Sequence, residues 1–155
     1  MNVNYINSFI LGIEDILSQM APNIELERKD VITKKEPFVA DSVISIVGFN
    51  GDINGQVVFV YKENFALHLA STICGMEIQE IDELALSALG EISNMASGRA
   101  VIKLDELAQK KANITPPTTL HSGDQINISV KQPIISIPFD NGSKQSLEIN
   151  FSLTG

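Results

Sequence analysis

Residues 81–98 read IDELALSALGEISNMASG, and they open a helical pattern that continues to Lys111. Asp82 and Glu83 stand in its first turn, Lys110 and Lys111 in its last, each sign where the helix dipole prefers it. Pro116 and Pro117 bar any continuation. With Leu84 at zero and about 100° per residue, Asn94, Ser87, Gly98 and Glu91 fall near 280°, 300°, 320° and 340°. Ala85, Ala88, Leu89, Ile92 and Ala96 spread from about 40° to 140°, nearly opposite. A long helix therefore buries one face and turns a carboxylate and an amide outward together, three residues apart. Small residues surround the pair: Ser87, Gly90, Ser97 and Gly98. A glycine inside a helix costs roughly 1 kcal/mol relative to alanine. Two of them beside one polar pair imply that something comes close to this face.

Outward from this helix, the pattern alternates helices with runs of β-branched residues. Residues 4–20 predict a first helix, with Ile6, Phe9, Ile10, Ile13, Ile16 and Leu17 on one side and Pro22 as its stop. Residues 24–33 predict an exposed or edge strand. Residues 42–49 and 55–61 predict two strands joined by the glycine-rich turn between them. Residues 62–74 predict a second helix closed by Gly75. After the long helix come a short strand at 118–121 and longer ones at 125–139 and 145–153. Residues 140–143 (DNGS) read as a hairpin turn, and Pro133 and Pro138 belong at edges, bulges or strand ends. This order predicts an α+β fold with a mostly antiparallel sheet, packed helices and two loosely similar halves, each led by a helix. The faint echo between LGIE at 11–14 and LGEI at 89–92 has, taken alone, no weight. No linker or low-complexity stretch divides the chain, so a single domain over 1–155 is expected.

Composition removes several function classes. The 155 residues carry a net charge of −8, a poor match to nucleic acid or anionic lipid. Simple solubility is the plain explanation of that charge. No run approaches the eighteen uncharged apolar residues of a membrane span, and no basic region precedes the first apolar stretch. One cysteine, Cys74, excludes an internal disulfide framework and suits a reducing cytoplasm. The two histidines, His68 and His121, stand far apart and in no ligand spacing, so no metal site is expected. His68 reads as a packing or surface residue, and Cys74 as a small core residue near a helix end. No P-loop is present.

The polar pair is thus nearly the only candidate for chemistry, yet its residues alone leave two readings open. Glu91 and Asn94 suit an ordinary solvated face as well as a site. Ser87 could bond a carbonyl one turn back. Gly90 and Gly98 could serve close packing instead of an open docking face.

The wider string separates these readings. Ser87-x3-Glu91-x2-Asn94, followed by twenty-two residues and then Pro117, resembles the signature of the CheC/CheX/FliY family of chemotaxis phosphatases. Leu86, Leu89, Gly90, Ile92, Met95 and Gly98 around it agree, as do Pro133, Pro138 and Phe139 before a final hairpin. The resemblance spans nearly the whole chain. One copy of the motif, with Leu17 three residues after Glu14, is similar to single-site CheX rather than two-site CheC. It implies a pseudo-symmetric fold and hydrolysis of the aspartyl-phosphate of a CheY-type response regulator. By that resemblance Asn94 orients the attacking water and Glu91 pairs with a regulator lysine. Ser87, Gly90, Gly98 and Pro117 would border the partner. The regulator would bring Mg2+ and the phosphorylated Asp, and this chain would need no cofactor of its own. The resemblance also implies a homodimer formed by sheet pairing, through the strand at 145–153 or the edge near Ile24. A non-catalytic domain that binds a regulator or motor-switch component is the alternative on the same fold, and a stripe buried in a homodimer is a third.

Overall fold

The computed structural model describes residues 3–34, 38–40, 42–121, 126–128, 133–142 and 144–154. Among these described residues, ten strands and three helices follow one another as β1 (Glu27–Arg28), β2 (Ile32–Lys34), β3 (Phe38–Ala40), β4 (Val43–Gly51), β5 (Asn54–Tyr61), β6 (Ala112–Ile114), β7 (Thr118–His121), β8 (Ile126–Ile128), β9 (Ile134–Asn141) and β10 (Lys144–Thr154), with α1 (Val3–Met20) before β1, and α2 (Glu63–Cys74) and α3 (Glu83–Ala108) between β5 and β6. The fold class is α+β, as the alternation of elements predicts.

β4 and β5 form the expected hairpin, with Val47 opposite Val57 and Ser45 opposite Phe59. Gly51 and Gly55 hold φ of 129° and 140°, and any β-carbon at Gly55 would collide with the Ser152 carbonyl on β10. The sheet runs β1-β9-β10-β5-β4-β6, with β2 also on β9 and β7 also on β4. Every pairing in it is antiparallel. β3 and β8 pair with each other.

Three expectations are corrected. Of the strand predicted over 125–139, residues 126–128 (β8) pair with β3 and 134–139 belong to β9 of the main sheet with Pro133 immediately before it, so the two parts lie in different sheets; residues 125 and 129–132 lie outside the described residues. The strand predicted over 24–33 is broken into β1 and β2, both on β9. The break falls beside Pro138, which has no N–H to donate; its carbonyl still accepts from the Lys29 N–H at 2.9 Å. The strand at 145–153 does not lie at an edge. β10 is paired by β5 over residues 147–154 and by β9 over 144–151, so it lies inside the sheet. The edge near Ile24 is indeed outermost, and β1 and most of β2 are exposed.

The helices cover the sheet face that carries Val57, Phe59, Tyr61, Ile149 and Phe151. Phe9 of α1 sits 5.2 Å from the Phe49 ring and 5.2 Å from the Phe151 ring. Burying a side chain of this size contributes about 2 to 3 kcal/mol. α1 and α3 approach so closely that a β-carbon at Gly12 would lie 2.6 Å from the Ala100 backbone nitrogen. Arg99 of α3 is held by Asp15 of α1 at 2.7 Å. The opposite sheet face buries Ile44, Val58, Val60 and Ile134.

α3 starts close to the expected place, at Glu83; Asp82, expected inside the first turn, caps it instead, its side chain accepting from the Ala85 N–H at 2.9 Å. Its end differs. The helix stops at Ala108, Gln109 takes the left-handed conformation at φ 55°, and Lys110 and Lys111 lie outside it. The cause is distant in sequence: Asp52 in the β4–β5 turn accepts from the Lys111 N–H at 2.8 Å and donates its own N–H to the Lys111 carbonyl at 2.8 Å. That clamp directs the chain into β6 instead of a further helical turn.

Candidate active site on the long helix

α3 orients its polar pair through Ser93, one of the two residues between them. Ser93 is buried, its hydroxyl 2.7 Å from the Tyr61 hydroxyl and 3.0 Å from the Leu89 carbonyl, to which it donates. Burial pushes the Tyr61 phenol well above its ordinary range, although the Ser93 hydrogen bond opposes the shift, so the phenol stays neutral. This bonded chain fixes the rotation of α3 over β5. Asn94, the next residue, is then half-buried at the rim, and Glu91 and Ser87 are exposed.

The second wall of the site comes from β7 and the turn before it. Leu86, Ser87, Gly90, Glu91, Pro117 and Thr119 line an open groove of about 440 Å³. The structure thus unites Ser87, Gly90, Glu91 and Pro117, although Pro117 lies far along the chain. Asn94 and Gly98 follow along the helix beyond this groove. A β-carbon at Gly98 would meet nothing within 4 Å, so the face is open there. Gly90 is different: it is buried, and its missing side chain makes room for Thr119. Thr119 belongs to the groove and was not singled out in the sequence, whereas Leu86 entered there only as a flanking residue of the motif. The available signal was the place of Thr119 two residues past the distal proline in an expected strand.

Other hollows are at least as roomy. One of about 550 Å³ lies at the start of α2, lined in part by Lys62, His68 and Lys144, and one of about 510 Å³ lies between α1 and β1. Volume does not select among them, because a surface that receives another protein is shallow where a small-molecule site is deep. His68 is exposed, and His121 pairs with Glu63 at 3.7 Å. Cys74 is half-buried and packs against the small cluster of Ala70, Ile78, Ala85 and Ala88. Among the described residues, no three His, Cys, Asp or Glu side chains gather as metal ligands, and no helix is long and apolar enough to cross a membrane.

Residues 43–140, which include the whole of α3 and both walls of the groove, match the family described as chemotaxis phosphatase CheX. The chain belongs to the CheX family. The resemblance carried by Ser87, Glu91, Asn94 and Pro117 is borne out at that level, and with it the expectation of a phosphatase. The CheY-P phosphatase CheX of Thermotoga maritima is 29% identical over 154 residues, covering 99% of this chain and 97% of the relative. A chemotaxis protein CheX from Desulfovibrio desulfuricans shares the fold with a TM-score of 0.85 at 28% identity, over 97% of this chain and 99% of that one. The CheX of Borrelia burgdorferi, solved in a CheX–CheY–BeF3–Mg2+ complex, superposes with a TM-score of 0.83 at 24% identity, over 97% of this chain and 98% of its own.

Proposed function

We propose that this chain hydrolyses the aspartyl-phosphate of a CheY-type response regulator, with the exposed face of α3 entering the regulator's active site. The observation that carries the reading is the position of Glu91 and Asn94, one turn apart on an open helix face beside the groove of Pro117. The Thermotoga relative, named a CheY-P phosphatase, supports the substrate class. In the Borrelia complex the partner is CheY with beryllofluoride, a tetrahedral stand-in for a phosphoryl group, and Mg2+.

The chemistry suits these side chains. Asn94 carries an amide, which is too weak a base to take a proton from water. Its contribution is to hold a water in line with the phosphorus by hydrogen bonds. The water oxygen forms a bond to phosphorus, the bond from phosphorus to the aspartyl oxygen breaks, and inorganic phosphate leaves the regenerated carboxylate. Glu91 pairs with a lysine beside the regulator's phosphoryl group and sets the register of the two proteins. Ser87, Gly90, Gly98 and Pro117 border the contact. The regulator supplies Mg2+ and the phosphorylated Asp.

The same reading takes residues 1–155 as one domain working in the cytoplasm as a homodimer. Of the two sheet contacts expected for that dimer, the outer edge of β1 and β2 is the one retained, since β10 lies inside the sheet between β5 and β9. Phosphate release from a phosphorylated CheY-type regulator tests the activity. Acceleration by wild type and its loss in Asn94→Ala are expected. Binding without acceleration would make the chain a non-catalytic regulator-binding domain.

A further inference from the structure

Ser97 of α3 is 1% exposed, and its hydroxyl has no hydrogen-bond partner. Hydroxyls elsewhere in the helices bond the carbonyl one turn back. Ser8 donates to the Asn4 carbonyl at 2.7 Å, Thr72 to that of His68 at 2.9 Å and Ser93 to that of Leu89 at 3.0 Å. Ser97 makes no such bond. A buried hydroxyl without a partner lowers stability, because it has given up its bonds to water for nothing. Alanine would avoid that cost, and alanine stands at the buried positions 85, 88, 96 and 100 of the same helix. Packing alone therefore gives no reason for a serine at 97.

Its place on the helix supplies one. Ser97 lies three residues past Asn94, a spacing that sets their β-carbons about 5 to 6 Å apart. Its azimuth is about 60° from that of Asn94, on the side toward Gly90 and the buried face. Helical side chains lean toward the N-terminus, which carries the Ser97 hydroxyl back over the turn that holds Asn94. Asn94 itself is half-buried at the rim, and among the described residues no hydrogen bond holds its amide. An amide has an accepting end and a donating end, so one that positions a water must be held against turning over. The amide at the rim lacks a holder, and a buried hydroxyl that lacks a partner stands one turn behind it.

We propose that Ser97 is the positioning residue of Asn94. The proposal rests on the phosphatase reading above and deepens it. In the free chain, water competes for the half-buried amide. When the regulator covers the rim and water leaves, the Asn94 Nδ2–H donates to the Ser97 Oγ. The Ser97 hydroxyl donates in turn to the Ser93 carbonyl, as the other helical hydroxyls do to theirs. The Asn94 Oδ1 is thereby left toward the phosphoryl group, where it accepts a hydrogen bond from the attacking water. Ser97 touches neither water nor phosphorus and acts only through Asn94.

The test is phosphate release from a phosphorylated CheY-type receiver domain, with titration of its beryllofluoride–Mg2+ form for affinity. Ser97→Ala should lower kcat about tenfold and leave KM and Kd within about twofold. Its thermal midpoint should equal or exceed that of wild type, since the hydroxyl it loses has no partner. Ser97→Thr keeps the hydroxyl and should keep more than about half of the wild-type kcat. In an Asn94→Ala background, Ser97→Ala should change kcat by less than about twofold, because the group it positions is gone. In the beryllofluoride complex the side-chain amide protons of Asn94 should exchange with water more slowly in wild type than in Ser97→Ala. Should Ser97→Thr fail to fold, the double variant and the amide exchange decide. An unchanged kcat in Ser97→Ala, an equal loss in the Asn94→Ala background, or equal amide exchange overturns the positioning role. With Asn94→Ala impaired, those results leave the catalytic reading standing. Full turnover in Asn94→Ala, or a wild-type chain without turnover, refutes that reading and the positioning role with it.

Discussion

Thr119 packs into the space where Gly90 has no side chain. A β-carbon built on Gly90 would stand 2.8 Å from the Thr119 Oγ1, which is itself 2.9 Å from the Ser45 Oγ on β4. The glycine therefore sets how closely β7 approaches α3, and so how near Pro117 lies to Ser87 and Glu91. Its role is inside the molecule, at the floor of the groove.

Gly90→Ala should destabilise the protein by about 1 to 3 kcal/mol, the usual cost of overpacking, despite the better helix propensity of alanine. Adding Thr119→Ala removes the colliding atom and should recover much of that loss. Urea unfolding of the two variants and of Thr119→Ala alone checks this, and full additivity of the single effects would contradict the contact.

Asn94→Ala should lower kcat for regulator dephosphorylation by about a hundredfold, the scale of losing a positioned reactant, with KM little changed. Glu91→Ala should weaken both. The loss of a charge-assisted hydrogen bond, about 1.5 to 3 kcal/mol, corresponds to at least about tenfold in affinity. Steady-state phosphate release over a range of regulator concentrations separates the two effects.

Tyr61→Phe should cost roughly 1 kcal/mol, because Ser93 keeps its bond to the Leu89 carbonyl while losing the phenol. The same variant carries a pH signature. Burial raises the folded pKa of Tyr61 above its ordinary value near 10, so above that pH the unfolded chain loses the proton first. Stability from this group is complete below about pH 10 and falls as pH rises further. The alkaline decline in unfolding free energy should be shallower in Tyr61→Phe than in wild type.

Asp52→Ala should release the Lys111 backbone and cost about 1 kcal/mol, with fraying at the C-terminal end of α3. Amide hydrogen exchange would show it as faster exchange over the last turn of α3 and over β6. Unchanged protection there would remove Asp52 as the cause of the helix stop.

Features written in neighbouring residues were legible in the chain. The 3.6-residue period and the acids Asp82 and Glu83 at its start announced α3 and the outward face of Glu91 and Asn94, and glycines announced the β4–β5 turn and the end of α2. Periodicity and turn chemistry act over a few residues, so one strand of text suffices to read them. The C-terminal end of α3 was not legible, because Asp52 contacts Lys111 across 59 positions. Nor was the central place of β10, which only its two neighbours define, or the split of the edge around Pro138.

The site divides along the same line. Sequence alone set the residue types and the azimuth of Glu91 and Asn94, since helical geometry follows from local backbone preferences. The groove exists only after folding. Thr119 and Pro117 reach Gly90 because β7 pairs with β4, and Ser93 turns Asn94 outward because Tyr61 waits beneath it on β5. Such contacts join residues far apart in the chain through close packing, which no local pattern encodes.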